Sequence, residues 1–138
     1  ATAKKARFLE HLIGRLSLDR VTIVVGRAEE IAHDELYRDK FDLAVARALA
    51  SLPALAELTL PFCEVGGCFI AQKGNIEEEV AKSLKAIDVL GGKLREVKPI
   101  ALAELNDNRF LIIIDKIKPT PPQYPRRPGI PAKRPILS

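Results

Sequence analysis

The stretch Phe41–Leu52, FDLAVARALASL, decides the fold class. Leu43, Ala44, Val45 and Ala46 form a short apolar run of the kind buried on both faces of a parallel sheet. The run stops at a charged residue, Arg47, where the chain leaves the sheet. Ser51 and Pro53 then mark a helix start, serine as the N-cap and proline just inside the first turn. In open α/β sheets, ligands sit beyond the carboxyl ends of the strands. Arg47 is therefore the first candidate site residue, although a solvated strand-end arginine satisfies the same pattern.

On the N-terminal side, Ala3–Leu16 reads as an amphipathic helix, with Phe8, Leu9, Leu12, Ile13 and Leu16 at helical spacing. Val21–Val25, VTIVV, is β-branched and predicts a buried strand. It runs into Gly26-Arg27-Ala28-Glu29-Glu30, then a short helix over about 28–33 and a polar loop over 34–40. On the C-terminal side, a helix spans about 53–62 and Gly66-Gly67 turns the chain into a strand, Cys68–Gln72, that stops at Lys73-Gly74. Ile76–Leu90 is helical, with Gly91-Gly92 ending it. Lys93–Leu102 and Arg109–Lys118 predict a β-hairpin around Asn106-Asp107-Asn108, with Phe110–Ile114 inside the sheet. Alternating helices and strands imply parallel strands and crossover helices on both faces, closed by an antiparallel hairpin. The fold class is therefore α/β, with the strands over 21–25, 41–46 and 68–72 mutually parallel.

With 138 residues, 47% hydrophobic and 29% charged, the chain has the composition of an ordinary globular domain. No apolar run reaches the roughly 18 residues of a membrane span, and no secretory pattern opens the chain. Both point to the cytoplasm. Cys63 and Cys68 lack metal-ligand spacing and read as small buried hydrophobes. The net charge of +4 is uneven: Lys116, Lys118, Arg126, Arg127, Lys133 and Arg134 carry +6 over 116–138 without one acidic residue, leaving −2 for 1–115. Such asymmetry points to a polyanionic partner. Seven of the ten prolines follow residue 118, so 119–138 is expected as an extended, Pro-rich basic tail beside a body over 1–118.

The strand ends at Gly26-Arg27, Arg47 and Lys73-Gly74 would line one edge of the sheet, basic and suited to an anionic or nucleotide-like ligand. Taken singly, each also fits a plain turn or a solvated charge. His11 and His33 are isolated, and Asp19, Glu57 and Glu77–Glu79 read as solvated faces. No catalytic triad, metal cluster or glycine-rich phosphate loop is visible.

Four segments occur together in order: Gly26-Arg27-Ala28-Glu29-Glu30, Val45-Ala46-Arg47-Ala48, Gly66-Gly67 through Lys73-Gly74, and Tyr124-Pro125-Arg126-Arg127-Pro128-Gly129-Ile130-Pro131. In this combination the chain resembles the RsmG (GidB) family, S-adenosylmethionine-dependent methyltransferases that modify N7 of a guanine in 16S ribosomal RNA. The resemblance implies a Rossmann-like three-layer α/β/α sheet, S-adenosyl-L-methionine as cofactor, and 16S rRNA or the small-subunit particle as partner, with no metal and no membrane. It places Ala28 and Glu29 beside the adenine, Arg47 at the cofactor edge or the RNA, and Ala1 and Thr2 near the adenosine. Lys73, Arg126 and Arg127 are RNA-phosphate candidates by charge and position, and Tyr124 is a candidate for base stacking. The family carries, upstream of the segment resembling Ala1–Lys5, a first strand and a glycine-rich cofactor loop. The resemblance thus covers a C-terminal portion, an N-terminally truncated sheet expected to be inactive alone. No catalytic acid or base is implied, because N7 of guanine is a lone-pair nucleophile with no proton to lose. Two other readings stay open: a non-catalytic RNA-binding remnant docking through the basic tail, and, less well matched, a dinucleotide-dependent oxidoreductase.

Overall fold

The computed structural model describes residues 3–47, 50–74, 77–100 and 109–137. In chain order they form α1 (Ala3–Arg15), α2 (Ala28–Ile31), β1 (Phe41–Arg47), α3 (Leu52–Thr59) with a 3-10 turn over Leu60–Phe62, β2 (Cys63–Lys73), α4 (Glu77–Val89), β3 (Gly92–Ile100), β4 (Arg109–Lys116) and α5 (Ile130–Lys133). One four-stranded sheet has the order β1-β2-β4-β3. β1 and β2 are parallel, as their crossover through α3 requires. β4 is antiparallel to both neighbours and lies inside the sheet, as its FLIII run predicts. The tip of that hairpin, Asn106–Asn108, falls outside the described residues.

The core is built by burying α3 and α4 against one face. Leu52, Leu55, Ala56 and Leu60 meet Ala86, Ile87 and Leu90 over Phe69, Ala71, Ile112 and Ile114. Ala44 and Ala46 pack against the same cluster, so by strand alternation Leu43, Val45 and Arg47 point to the other face. In register with them stand Cys68, Ile70 and Gln72, and next to those Asp115, Ile113 and Leu111. This second face is only partly covered; Val45 is 69% exposed.

Several expectations are corrected. Val21–Val25 is not a strand: it carries no ladder, and Val21, Val24 and Val25 are exposed. β propensity reports how well a residue fits a pleated, half-buried surface. Among the described residues no neighbouring strand supplies that surface. The three-strand parallel set is therefore a pair, β1 and β2. The predicted face of α1 is likewise uncovered, with Phe8 and Leu16 exposed and no buried residue. Gly66-Gly67 does not precede the strand but sits inside it. The pairing jumps from Phe41↔Cys63 to Leu43↔Cys68, so residues 64–67 bulge from the ladder. Gly66 has φ +96°, and a Cβ on Gly67 would stand 2.7 Å from the Asp42 carbonyl oxygen.

The segment after residue 118 is not simply extended: it turns, then forms the four-residue helix α5, which Pro131 tolerates in the first turn. It folds back on the body. The Arg38 guanidinium donates to the carbonyls of Ala32, Thr120, Pro121 and Tyr124 at 2.8–3.1 Å. Thr120 Oγ1 donates to the Leu90 carbonyl at 2.6 Å, and His33 Nε2–H to that of Pro125 at 2.6 Å. Tyr124 is half-buried and packs against the core.

Candidate functional site

At the carboxyl ends of the parallel pair, β1 delivers Arg47 and β2 delivers Lys73, with Gln72 opposite Arg47 in the ladder. Their environments differ. Arg47 is exposed and its side chain has no hydrogen bond or ion pair among the described residues. Lys73 is buried: its ammonium donates to the Ala50 carbonyl at 2.8 Å and pairs with Glu79. The same Glu79 carboxylate accepts the Leu52 amide at the start of α3. Ser51 occupies the N-cap but makes no side-chain cap bond, so the carboxylate from α4 does that work. Glu79, expected on a solvated face, thus joins α3, α4 and the end of β2.

The third expected strand end, Gly26-Arg27, does not close a strand. Gly26 and Ala28 instead line a trough of about 820 Å³ that runs beside β1, with Ile31, Tyr37, Phe41, Leu43 and Val45 along it. Arg47 and Lys73 are not part of its lining. The structure thus gathers Gly26 and Ala28 with β1, and Arg47 with the end of β2.

Glu29 is buried in α2 and turned toward the tail. Its carboxylate accepts from the Arg27 guanidinium at 2.9 Å and from the Gly129 amide at 2.8 Å. Burial alone would raise its pKa. The bonds from the Gly129 amide, from its own amide and from Arg27 outweigh burial and hold it below the usual carboxylate value.

The basic tail is less uniform than its composition. Lys116, fully buried, donates to Asp39 at 3.0 Å and to the Leu60 and Cys63 carbonyls at 2.8 Å. Arg126 grips Glu57, whose side chain is fully buried, through Nη2 at 2.7 Å and Nε at 3.0–3.2 Å. The Arg126 amide adds a bond of 2.8 Å to the same carboxylate. The Glu57 carboxylate, largely through its hydrogen bonds, raises the Arg126 pKa further. Glu57 corrects its reading as a solvated residue. The only sequence signal for it was an acid inside an otherwise apolar helix stretch, PALAELTL. Arg127 is exposed, without a partner among the described residues. Ala1 and Thr2 lie outside the described residues.

Cys63 is buried, which pushes its thiol pKa up to about 11, and both cysteines are free thiols. No group of three metal-ligating side chains and no helix long and apolar enough to cross a membrane occurs among the described residues.

The family model of rRNA small subunit methyltransferase G matches residues 1–109, most of the chain. The chain belongs to this family. Ribosomal RNA small subunit methyltransferase G of Dehalococcoides mccartyi (strain CBDB1) is 49% identical over 138 residues, covering 99% of this chain and 59% of the relative. The protein of the same name from Acetivibrio thermocellus is 48% identical over 133 residues, covering 96% of this chain and 55% of its own length. The chain thus spans a little over half the length of these family members. A solved rRNA methylase from Streptococcus thermophilus superposes with a TM-score of 0.57 at 16% identity, over 85% of this chain and 70% of the other. At that identity the likeness concerns the fold alone, a Rossmann-like α/β sheet.

Proposed function

We propose that the protein carrying this sequence transfers a methyl group from S-adenosyl-L-methionine to N7 of a guanine in 16S ribosomal RNA. The observation that carries the reading is the family match over 1–109. It is supported by an unpaired, exposed arginine at the carboxyl end of β1, where α/β sheets take their ligands. The donor set fits the cofactor in two places. The trough wall of Ala28, Ile31, Tyr37 and Val45 is apolar and aromatic, suited to a flat base. Arg47 offers a planar fork free to grip a carboxylate or phosphate with two bonds. Glu29 does not offer its carboxylate to a ligand in this arrangement, since Arg27 and Gly129 hold it; its share in adenine binding would be through the backbone of 28–29.

When bound, the sulfonium of the cofactor supplies an activated methyl group. N7 of guanine attacks with its lone pair, so the protein needs no general base. Its task is to hold the two reactants in line and keep the local field favourable. Arg47 contributes by fixing an anionic group at the strand end. Lys73 contributes indirectly, because its buried ammonium joins the end of β2 to Glu79 and the start of α3. The test is methyl transfer from labelled cofactor to small-subunit particles by a protein of the relatives' full length that carries this sequence. Labelled 7-methylguanine in 16S rRNA is the expected product, and label elsewhere or nowhere overturns the reading.

A second reading has one observation in its favour. The edge of β1 is unpaired, and residues 21–25 have no ladder partner among the described residues. The described stretch by itself would then bind ribosomal RNA without methylating it. Cofactor titration of a protein of the relatives' full length that carries this sequence separates the two: under the second reading it binds RNA and shows no saturable affinity for S-adenosylmethionine.

A further inference from the structure

We infer that residues 126–134 form a grip for the RNA phosphodiester backbone, in which Arg127, Lys133 and Arg134 take phosphates while Arg126 is a positioning residue. The inference rests on the proposal that RNA is the partner and assigns which side chains meet it. Three of the six cations in 116–138 are already engaged. Lys116 is buried on three oxygens, Lys118 stands 4.0 Å from Asp88, and Arg126 is locked on Glu57. Arg127, Lys133 and Arg134 are exposed, and their side chains have no partner among the described residues. No acidic residue on the segment opposes an approaching polyanion.

Two buried carboxylates from the body hold the loop on either side of Arg127. Glu57 of α3 takes the amide and guanidinium of Arg126, and Glu29 of α2 takes the Gly129 amide. Gly129 has φ +87°, a left-handed turn that starts α5. Arg126 Nη2 also donates to the Arg134 carbonyl at 2.7 Å, so the segment is closed on itself. A loop braced in this way loses little freedom when its cations meet a partner. The unengaged cations flank the brace, and Arg126 has no guanidinium face left for a bidentate phosphate contact, since both its Nε and Nη2 are taken.

The experiment measures binding of this chain to a fluorescein-labelled single-stranded 16S rRNA fragment by anisotropy across a salt series, with thermal melts alongside. Each lost phosphate contact on a single strand lowers the slope of log K against log salt by about 0.7, hence about fivefold in affinity at about 0.1 M salt. Arg127→Ala, Lys133→Ala and Arg134→Ala should each do this with an unchanged melt, and Arg127→Lys should restore the slope. Arg126→Lys keeps the charge but loses the fork on Glu57. It should lower the slope although Arg127 is untouched. A normal slope in Arg126→Lys, with or without a lower melt, overturns the positioning role. Unchanged affinity and slope in Arg127→Ala overturns the grip. Displacement of the RNA by an acidic peptide at equal concentration would point to a protein partner and also overturns it. If the full-length protein fails to methylate while Arg127→Ala still weakens RNA binding, the catalytic proposal falls and the grip stands.

Discussion

Arg126→Ala and Glu57→Gln remove opposite ends of one ion pair, and the structure predicts unequal costs. The Glu57 side chain is fully buried, whereas that of Arg126 is 30% exposed. In Arg126→Ala the carboxylate keeps only the amide bond of residue 126 and cannot turn to water. Breaking a buried pair from one side costs roughly 3–5 kcal/mol, because the stranded charge has lost its hydration as well as its partner. The surviving amide bond places this case at the lower end, about 3 kcal/mol. For a chain of this length that is a fall in Tm of about 10 °C. Glu57→Gln retains the shape and an acceptor for the amide, and the freed guanidinium swings into solvent, so the loss is about 1–1.5 kcal/mol, or about 4 °C. The assay is a pair of thermal melts by circular dichroism, repeated by urea titration to check that m is unchanged. Equal shifts, or a larger shift for Glu57→Gln, would show that burial of the carboxylate does not set the cost. A fall below about 3 °C for Arg126→Ala would mean that the pair is screened like a surface one.

Three further outcomes are expected. Arg47→Ala, in a protein of full length, should lower methyl transfer by about one to two decades through one lost charge-assisted contact of about 1.5–3 kcal/mol. Because the Arg47 side chain makes no hydrogen bond or ion pair among the described residues, the Tm should stay within about 2 °C, and near-normal turnover refutes its place in the site. Arg38→Ala strands four carbonyls and should loosen the tail, costing about 2–3 kcal/mol. Limited trypsinolysis should then cut after Arg126 or Lys133 well before the body, the Arg127 bond to Pro128 being resistant, and a digestion pattern like that of the parent refutes the clamp. Glu29 has a native pKa below its unfolded value, so its stabilisation is complete above the ordinary value of 4.5 and shrinks as pH falls through the lower native pKa. Tm measured from neutral pH down to about pH 3 should therefore fall less steeply in Glu29→Gln than in the parent; parallel curves refute the assignment.

How much of this was legible beforehand depended on the range of the interaction involved. The FDLAVAR run became β1, the FLIII run became the interior strand β4, and the helical stripe expected before Gly91-Gly92 became α4 over Glu77–Val89, because periodicity and end signals act within one turn or one pleat. VTIVV shows the limit. It carries every local mark of a strand, yet a strand exists only in a ladder, and no described segment pairs with it. In the sequence the double glycine is plain turn punctuation, and only the register of β1 against β2 shows that Gly67 relieves a close approach to Asp42.

The candidate site divides the same way. By itself the order of residues determined the helix and strand alternation from residue 41 onward, the strand-end position of Arg47, the acid-free basic segment after residue 115 and, through the four motifs, the family. Only the tertiary structure decided which charges are spent inside. Glu57 meets Arg126 from 69 residues away, and Glu29 meets the Gly129 amide from 100 residues away. Lys116 and Lys73 are drawn into the interior by carbonyls and carboxylates of other elements. A side chain's charge is a property of its own residue, but its hydration and its partner are properties of what the fold brings within about 3 Å of it. For that reason two arginines adjacent in sequence, Arg126 and Arg127, end with opposite tasks, one inside an ion pair and one facing solvent.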